Sequence, residues 1–244
     1  MNISYEIKIT FKLSIIEFPS VLAQCNQLFR FAELLENIGY PLEVWHPPAP
    51  NPERLQYRAF DSSGPTEEML KRVNIVRATR PETLEAGVWN GLEGERGATF
   101  LVSYSRDGLC KMVFQFGKVP GGGNLVMANL LEQSLQIWPA TIAEVGPYHY
   151  YVRDVLNPHR SCKVFPDRPG VGWMLYLPRR IELEDVPEAP MIRHIKDLNG
   201  TDGTIITSVI DDAFDADNAE HVRVANALEI RLADQGLLPR YVDL

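Results

Sequence analysis

The sequence predicts an α+β fold: a mixed, mainly antiparallel sheet flanked by three main helices, near residues 20–38, 125–138 and 218–235. Three observations predict it. From Ile3 to Ile15 every odd position is apolar and most even ones are polar, the pattern of a strand with one buried and one wet face. After Ser20 the period becomes helical, with Val21, Cys25, Leu28, Ala32 and Leu35 on one side and Gly39 as the stop. Two alternating runs, Ala98 to Ser105 and Leu109 to Phe116, then flank Arg106-Asp107-Gly108, a hairpin signal.

The other elements are taken in chain order. Pro41, Pro47, Pro48, Pro50 and Pro52 exclude an internal strand or helix and make an extended surface connection, because proline lacks the N–H that either structure needs. The residues before it hold one strand and one helix, too little to bury a core alone, so they share a domain with the residues C-terminal to it. A short helix covers Thr66 to Val76. Residues 117–123, GKVPGGG, lack the GK[ST] closure of a phosphate loop and form a flexible connection. The chain is a single domain over 1–244, or two closely packed halves divided near 118–124. Asn124 caps a helix carrying Met127, Leu130, Leu131, Leu135 and Trp138 and ended by Pro139. Tyr148, Tyr150 and Tyr151 suggest an aromatic strand, and Val171 to Leu177 a buried one anchored by Trp173. Thr204 to Ile210 is a β-branched strand. Asp217 and Glu220, spaced D-x-x-E, are expected to cap the last helix, which Gly236 ends.

Composition narrows the function classes. With 45% hydrophobic and 23% charged residues the chain can bury a real core. Three cysteines, Cys25, Cys110 and Cys162, are too few and too far apart for a disulfide framework or a zinc knuckle. Glu6 and Lys8 interrupt the early apolar stretch, and no run approaches the roughly 18 apolar residues of a membrane span, so a cytoplasmic protein without a membrane partner is expected. A net charge of −8 argues against direct nucleic-acid binding. That charge is polarised: residues 181–220 hold eleven acids against two bases, leaving the rest of the chain nearly neutral. Such polarity suits steering toward a basic partner, or is simply a set of solvated acidic loops.

The motifs of common chemistries are missing. GxSxG, HExxH, GxGxxG and the phosphate loop are absent, and His46, His149, His159, His194 and His221 never fall at the i, i+4 spacing of a helical metal pair. Cys25 and Cys110 fall on apolar faces, where a thiol is usually inert. Asp211, Asp212, Asp215 and Asp217 form the one carboxylate cluster suited to a hard cation, but the EF-hand register fails there. The expectation is a non-enzyme with no cofactor and no metal.

Three stretches, WNGLEGERGATFLVSYS at 89–105, VFPDRPGVGWMLYLP at 164–178 and DNAEHVRVANALEIRLADQGLLPR near the C-terminus, resemble the immunity protein 52 family of bacterial polymorphic-toxin and type VI secretion systems. The resemblance implies a non-catalytic protein that binds a cognate toxin, similar to restriction-endonuclease-fold nucleases, and protects the producing cell. A basic nuclease face would be complementary to the acidic segment. No contact residues carry over from the family. The residues themselves nominate Asp211, Asp212 and Asp215, then Glu182, Glu184 and Asp185 as a second patch, and Trp89 as a contact aromatic competing with a core role. The alternatives are a metal-assisted hydrolase using the Asp211–Asp217 cluster with His221, and an adaptor subunit of a secretion apparatus.

Overall fold

The structure, a computed structural model, describes residues 5–13, 18–48, 55–80, 83–106, 108–119, 121, 123–151 and 162–244. Ile3, Ile15, Pro50, Pro52, Asp107 and His159 lie outside them. Among the described residues ten strands and five α-helices alternate irregularly: β1 (Tyr5–Lys12), α1 (Val21–Glu36), β2 (Phe60–Asp61), β3 (Gly64–Pro65), α2 (Glu67–Thr79), β4 (Thr83–Trp89), β5 (Ala98–Ser105), β6 (Leu109–Phe116), α3 (Gly123–Ser134), β7 (Ala140–Pro147), α4 (Tyr148–Tyr151), β8 (Met174–Leu177), β9 (Met191–Lys196), β10 (Asp202–Thr207) and α5 (Ala219–Asp234). Eight of the strands form one sheet in the order β4-β5-β6-β1-β7-β8-β10-β9, and β2 and β3 form a separate pair. Every ladder in the large sheet is antiparallel, and one isolated bridge, Val145 to Gly172, is parallel. The sheet is continuous across the 118–124 connection, because β1 pairs with β6 on one side and β7 on the other.

Alternation decides which face each side chain joins. Phe100, Val102 and Tyr104 of β5 and Met112, Phe114 and Phe116 of β6 point to a first face covered by α1, α2 and α3. Phe31 of α1 wedges its ring among Phe100, Phe114 and Trp138 at centroid distances of 5.1, 5.6 and 5.6 Å. Ser20 caps α1 by accepting from the Ala23 N–H, and Thr66 caps α2 through Met69. The second face is covered over only part of its width. Leu228 and Leu232 of α5 pack on Ile142, Val171, Leu175, Leu177 and Ile206, closing the β7–β8–β10 side. On the same face of β5 and β6, Thr99, Leu101, Ser103, Val113 and Gln115 are only half-buried.

Four sequence expectations change. The even side of β1 is not wet: Glu6 and Thr10 are buried, and Lys8 is ion-paired with the fully buried Glu144 beneath the rings of Tyr151 and Tyr241. β1 is a central strand, so both of its faces are covered. Tyr148–Tyr151 is a helical turn rather than a strand, and Tyr150 instead reaches Glu229 of α5 at 2.7 Å. α3 begins at Gly123, which places Asn124 inside the helix rather than at its cap. α5 is capped by Asn218, whose Oδ1 accepts from the Glu220 N–H at 3.0 Å, while Glu220 itself pairs with Arg223. Asp217 therefore caps nothing; its N–H donates to Asp215 Oδ1.

Candidate functional site

The β10–α5 connection, residues 208–218, carries the carboxylate cluster, and its base is pinned to the sheet. Ser208 donates its hydroxyl to Gly172 O at 2.6 Å, its N–H donates to Trp173 O, and the Trp173 indole N–H donates to Val209 O, both at 2.9 Å. Phe214 is fully buried halfway along, edge-on to Tyr150 at 5.3 Å and tilted against His221 at 5.7 Å. Tyr5 donates its hydroxyl to Phe214 O at 3.1 Å, and the Asp215 N–H donates to His221 Nδ1 at 3.0 Å. That bond places the proton of a neutral His221 on Nε2. Apolar residues at 214 and 216 turn inward, so Asp211, Asp212, Asp215 and Asp217 are left outside, all exposed.

Electrostatics single out these four. Of the eleven acids in 181–220, Glu182 pairs with Arg180, Glu188 with Arg231, Asp202 with Lys196 and Glu220 with Arg223. Three of those four bases lie just outside the window, so the folded chain neutralises charge that the linear count leaves bare. Asp197 is buried and accepts the N–H groups of Asn199 and Thr201, both at 2.9 Å. Among the described residues no ion pair engages Asp211, Asp212, Asp215 or Asp217. Their field reaches Tyr5, whose hydroxyl is held above its ordinary range by burial first and then by the Asp215 and Asp212 charges. Asp211 and Asp212 also border a cleft of about 360 Å³ opposite Gly123 and Asn124, where the N-terminus of α3 favours negative charge.

The structure separates the other nominated residues from this loop. Glu182 and Asp185 bracket a 3₁₀ turn, each accepting the other's backbone N–H, and Glu184 is exposed on the same turn. Asp185 O accepts from Gln235, at the C-terminal end of α5, whereas the 211–217 loop leads into its N-terminal end. Sixteen helical residues span about 24 Å, so the two acidic patches occupy opposite ends of the helix. Trp89 stands apart from both, half-buried on β4 at the outer edge of the sheet, its indole N–H donating to Leu92 O at 2.8 Å.

For chemistry, no group of three or more His, Cys, Asp or Glu side chains among the described residues is placed to hold a metal ion. Asp212 and Asp215 each turn one oxygen back to a loop N–H, of Ala213 and Asp217 respectively, and His221 Nδ1 accepts from the Asp215 N–H. Burial pushes the Cys25 thiol up to about 12, which keeps it protonated and unreactive. No described helix is long and apolar enough to cross a membrane. The sequence had no signal for the buried acids Glu144 and Glu229. Glu229 accepts the N–H groups of Val164 and Val171 at 2.7 and 2.9 Å, and Glu144 that of Gly170 at 3.0 Å. These polar contacts tie the 163–172 segment down between α5 and the sheet.

Comparison with family models finds no match, and no curated protein matches the chain, so the resemblance to the immunity protein 52 family gains no support there. Among solved structures the fold is similar to that of the Pseudomonas aeruginosa T6SS protein PA0821. The identity is 12%, the TM-score 0.50, and the match covers 93% of this chain and 76% of that one. At that identity the likeness is one of fold.

Proposed function

We propose that this chain is an immunity protein of a type VI secretion system: it binds a cognate nuclease toxin in the cytoplasm and neutralises it by covering its basic DNA-binding face. One observation carries the reading. The 208–218 loop is anchored from beneath by Phe214, Ser208 and the Trp173 indole, while its four exposed carboxylates form no ion pair among the described residues. An anchored anionic ridge loses little conformational freedom on docking and matches a surface built for phosphates. The fold likeness to a protein described as belonging to a type VI secretion system supports the setting.

The test uses the product of an adjacent toxin reading frame. Changing Asp211, Asp212 and Asp215 together to Lys slows association at least tenfold at low ionic strength and less at 0.5 M salt, with dissociation less affected. Unchanged association kinetics would remove the loop from the mechanism. Co-purification with a large secretion assembly instead of a small basic domain would favour the adaptor alternative.

A further inference from the structure

The outer edge of the sheet at β4 has a half-built neighbour. His46 and Trp89 exchange both backbone hydrogen bonds across that edge, at 2.8 and 3.1 Å, as an isolated antiparallel bridge. In this register the next bonded pair would set residue 48 against Gly87. Positions 47 and 48 are both proline, so the first cannot keep the chain in line freely and the second has no N–H to give Gly87 O. The ladder therefore stops after one pair. Because outward pairing alternates along a strand, the N–H and C=O of Gly87 and Glu85 point away from β5, as those of Trp89 do. No described residue hydrogen-bonds to them.

Beside these outward-facing groups lies a groove of about 320 Å³, lined by Pro47, Pro48, Val76, Trp89 and Leu101. Its floor at Gly87 is as low as a strand allows: a Cβ there would stand 2.8 Å from Leu101 Cβ, so only glycine fits against β5. One end of the groove is marked by Glu85, exposed and without an ion pair among the described residues.

We propose that this edge accepts an extended segment of a protein partner. The segment adds antiparallel beside Glu85 and Gly87, takes up their free N–H and C=O groups, rests apolar side chains on Val76 and Leu101, and sets a basic side chain against Glu85. This is recognition by strand addition, in which backbone bonds supply affinity and flanking pockets supply specificity. A second copy of this chain is the wrong occupant. Antiparallel pairing of two β4 edges centred on Glu85 would oppose two carboxylates, centring it on Gly87 would set Glu85 of one copy where His46 already sits on the other, and centring it on Ala86 would leave the two Glu85 carboxylates diagonal neighbours on one face. The proposal concerns a surface remote from the acidic loop and deepens the partner-binding reading without using that loop.

The test uses the full chain and a capped nine-residue peptide of alternating Thr and Val with Lys at its centre, beside a twin with Glu at the centre. In amide-resolved spectra the Lys peptide shifts the Glu85 and Gly87 resonances saturably, and the Glu twin binds at least tenfold more weakly. The Glu85 N–H makes no bond to β5, so Glu85→Pro removes the outward donor and leaves the ladder intact. It abolishes the shift at Gly87 with the remaining spectrum unchanged. Glu85→Lys reverses the preference between the two peptides. Absence of a saturable shift at millimolar peptide, equal binding of the twins, or full binding by Glu85→Pro overturns the proposal. So does a concentration-dependent dimer that Glu85→Pro dissolves. Toxin association through residues 211–215 is measured separately, so failure here leaves that result standing.

Discussion

Replacing Phe214 with Ala separates the seating of the acidic loop from its charge. The ring is fully buried, edge-on to Tyr150 at 84° and tilted against His221. Taking a phenyl ring out of water contributes about 1.5–3 kcal/mol, and an edge-on aromatic contact adds about 0.5–1.5 kcal/mol. With the cavity left behind, the expected loss is about 3–5 kcal/mol, a large part of the roughly 5–15 kcal/mol that holds a typical domain folded. Urea unfolding reads it as a shift of the midpoint at constant slope. Phe214→Leu keeps most of the volume and costs under about 1.5 kcal/mol. Amide exchange at Asp215, Asp217 and Asn218 quickens in the Ala variant, because their bonds to His221 Nδ1, Asp215 Oδ1 and Asp215 O form only when the loop is seated. A loss below about 1 kcal/mol, or unchanged exchange at those three amides, would refute the clamp.

Other consequences arise from the polar layer between α5 and the sheet. Burial holds the Glu229 carboxyl above the ordinary carboxylate range. The folded chain keeps that proton where the unfolded chain has lost it, so this group's contribution is full below about pH 4 and declines as pH rises through the raised value. Glu229→Gln flattens that decline: urea midpoints of the two proteins diverge as pH rises above about 4, and parallel curves would count against the assignment. Glu229→Ala strands the N–H groups of Val164 and Val171 and the Tyr150 hydroxyl, and unfolds the chain at lower urea by upward of about 3 kcal/mol. Gly172→Ala is costly twice over. Its φ of +50° lies in the left-handed region, and the added methyl would fall 2.0 Å from the Tyr151 hydroxyl. The expected loss is about 2–5 kcal/mol, and a midpoint within error of the parent would show that Tyr151 can move away.

Several features were legible because they depend on neighbours in the chain. Alternation in 98–116 gave both strands of the β5–β6 hairpin, and the 4-3-4-3 spacing from Val21 gave α1 with Cys25, Leu28, Ala32 and Leu35 buried. Gly39 and Gly236 end their helices with φ of +97° and +67°, where a side chain would be strained. The loop carboxylates at 211–217 were legible too, as a run of acids between a strand and a helix. Charge balance was misjudged for a physical reason. Arg180 and Arg223 stand two and three positions from Glu182 and Glu220, just past the ends of the counted window, and only Glu188 draws its partner, Arg231, from a distant part of the chain, which a local count cannot see.

Periodicity, proline and glycine are local instructions, and from them the sequence by itself determined the α+β class, helices α1, α2, α3 and α5, and strands β1, β5, β6, β8 and β10, while β4, β7 and β9 carried no signal that was read. Tertiary structure decided what lies beside each strand. The polar side of β1 is buried only because the central position of the strand brings Glu144 of β7 and the rings of Tyr151 and Tyr241 over Lys8, residues more than 130 positions away. Among the described residues the pairing on the outer edge of β4 stops at one bridge because His46, brought alongside Trp89 by the turn of the chain, is followed by two prolines that cannot extend the ladder. Burial and edge exposure are properties of pairing partners, and a one-dimensional pattern carries the tendency to pair but not the choice of partner.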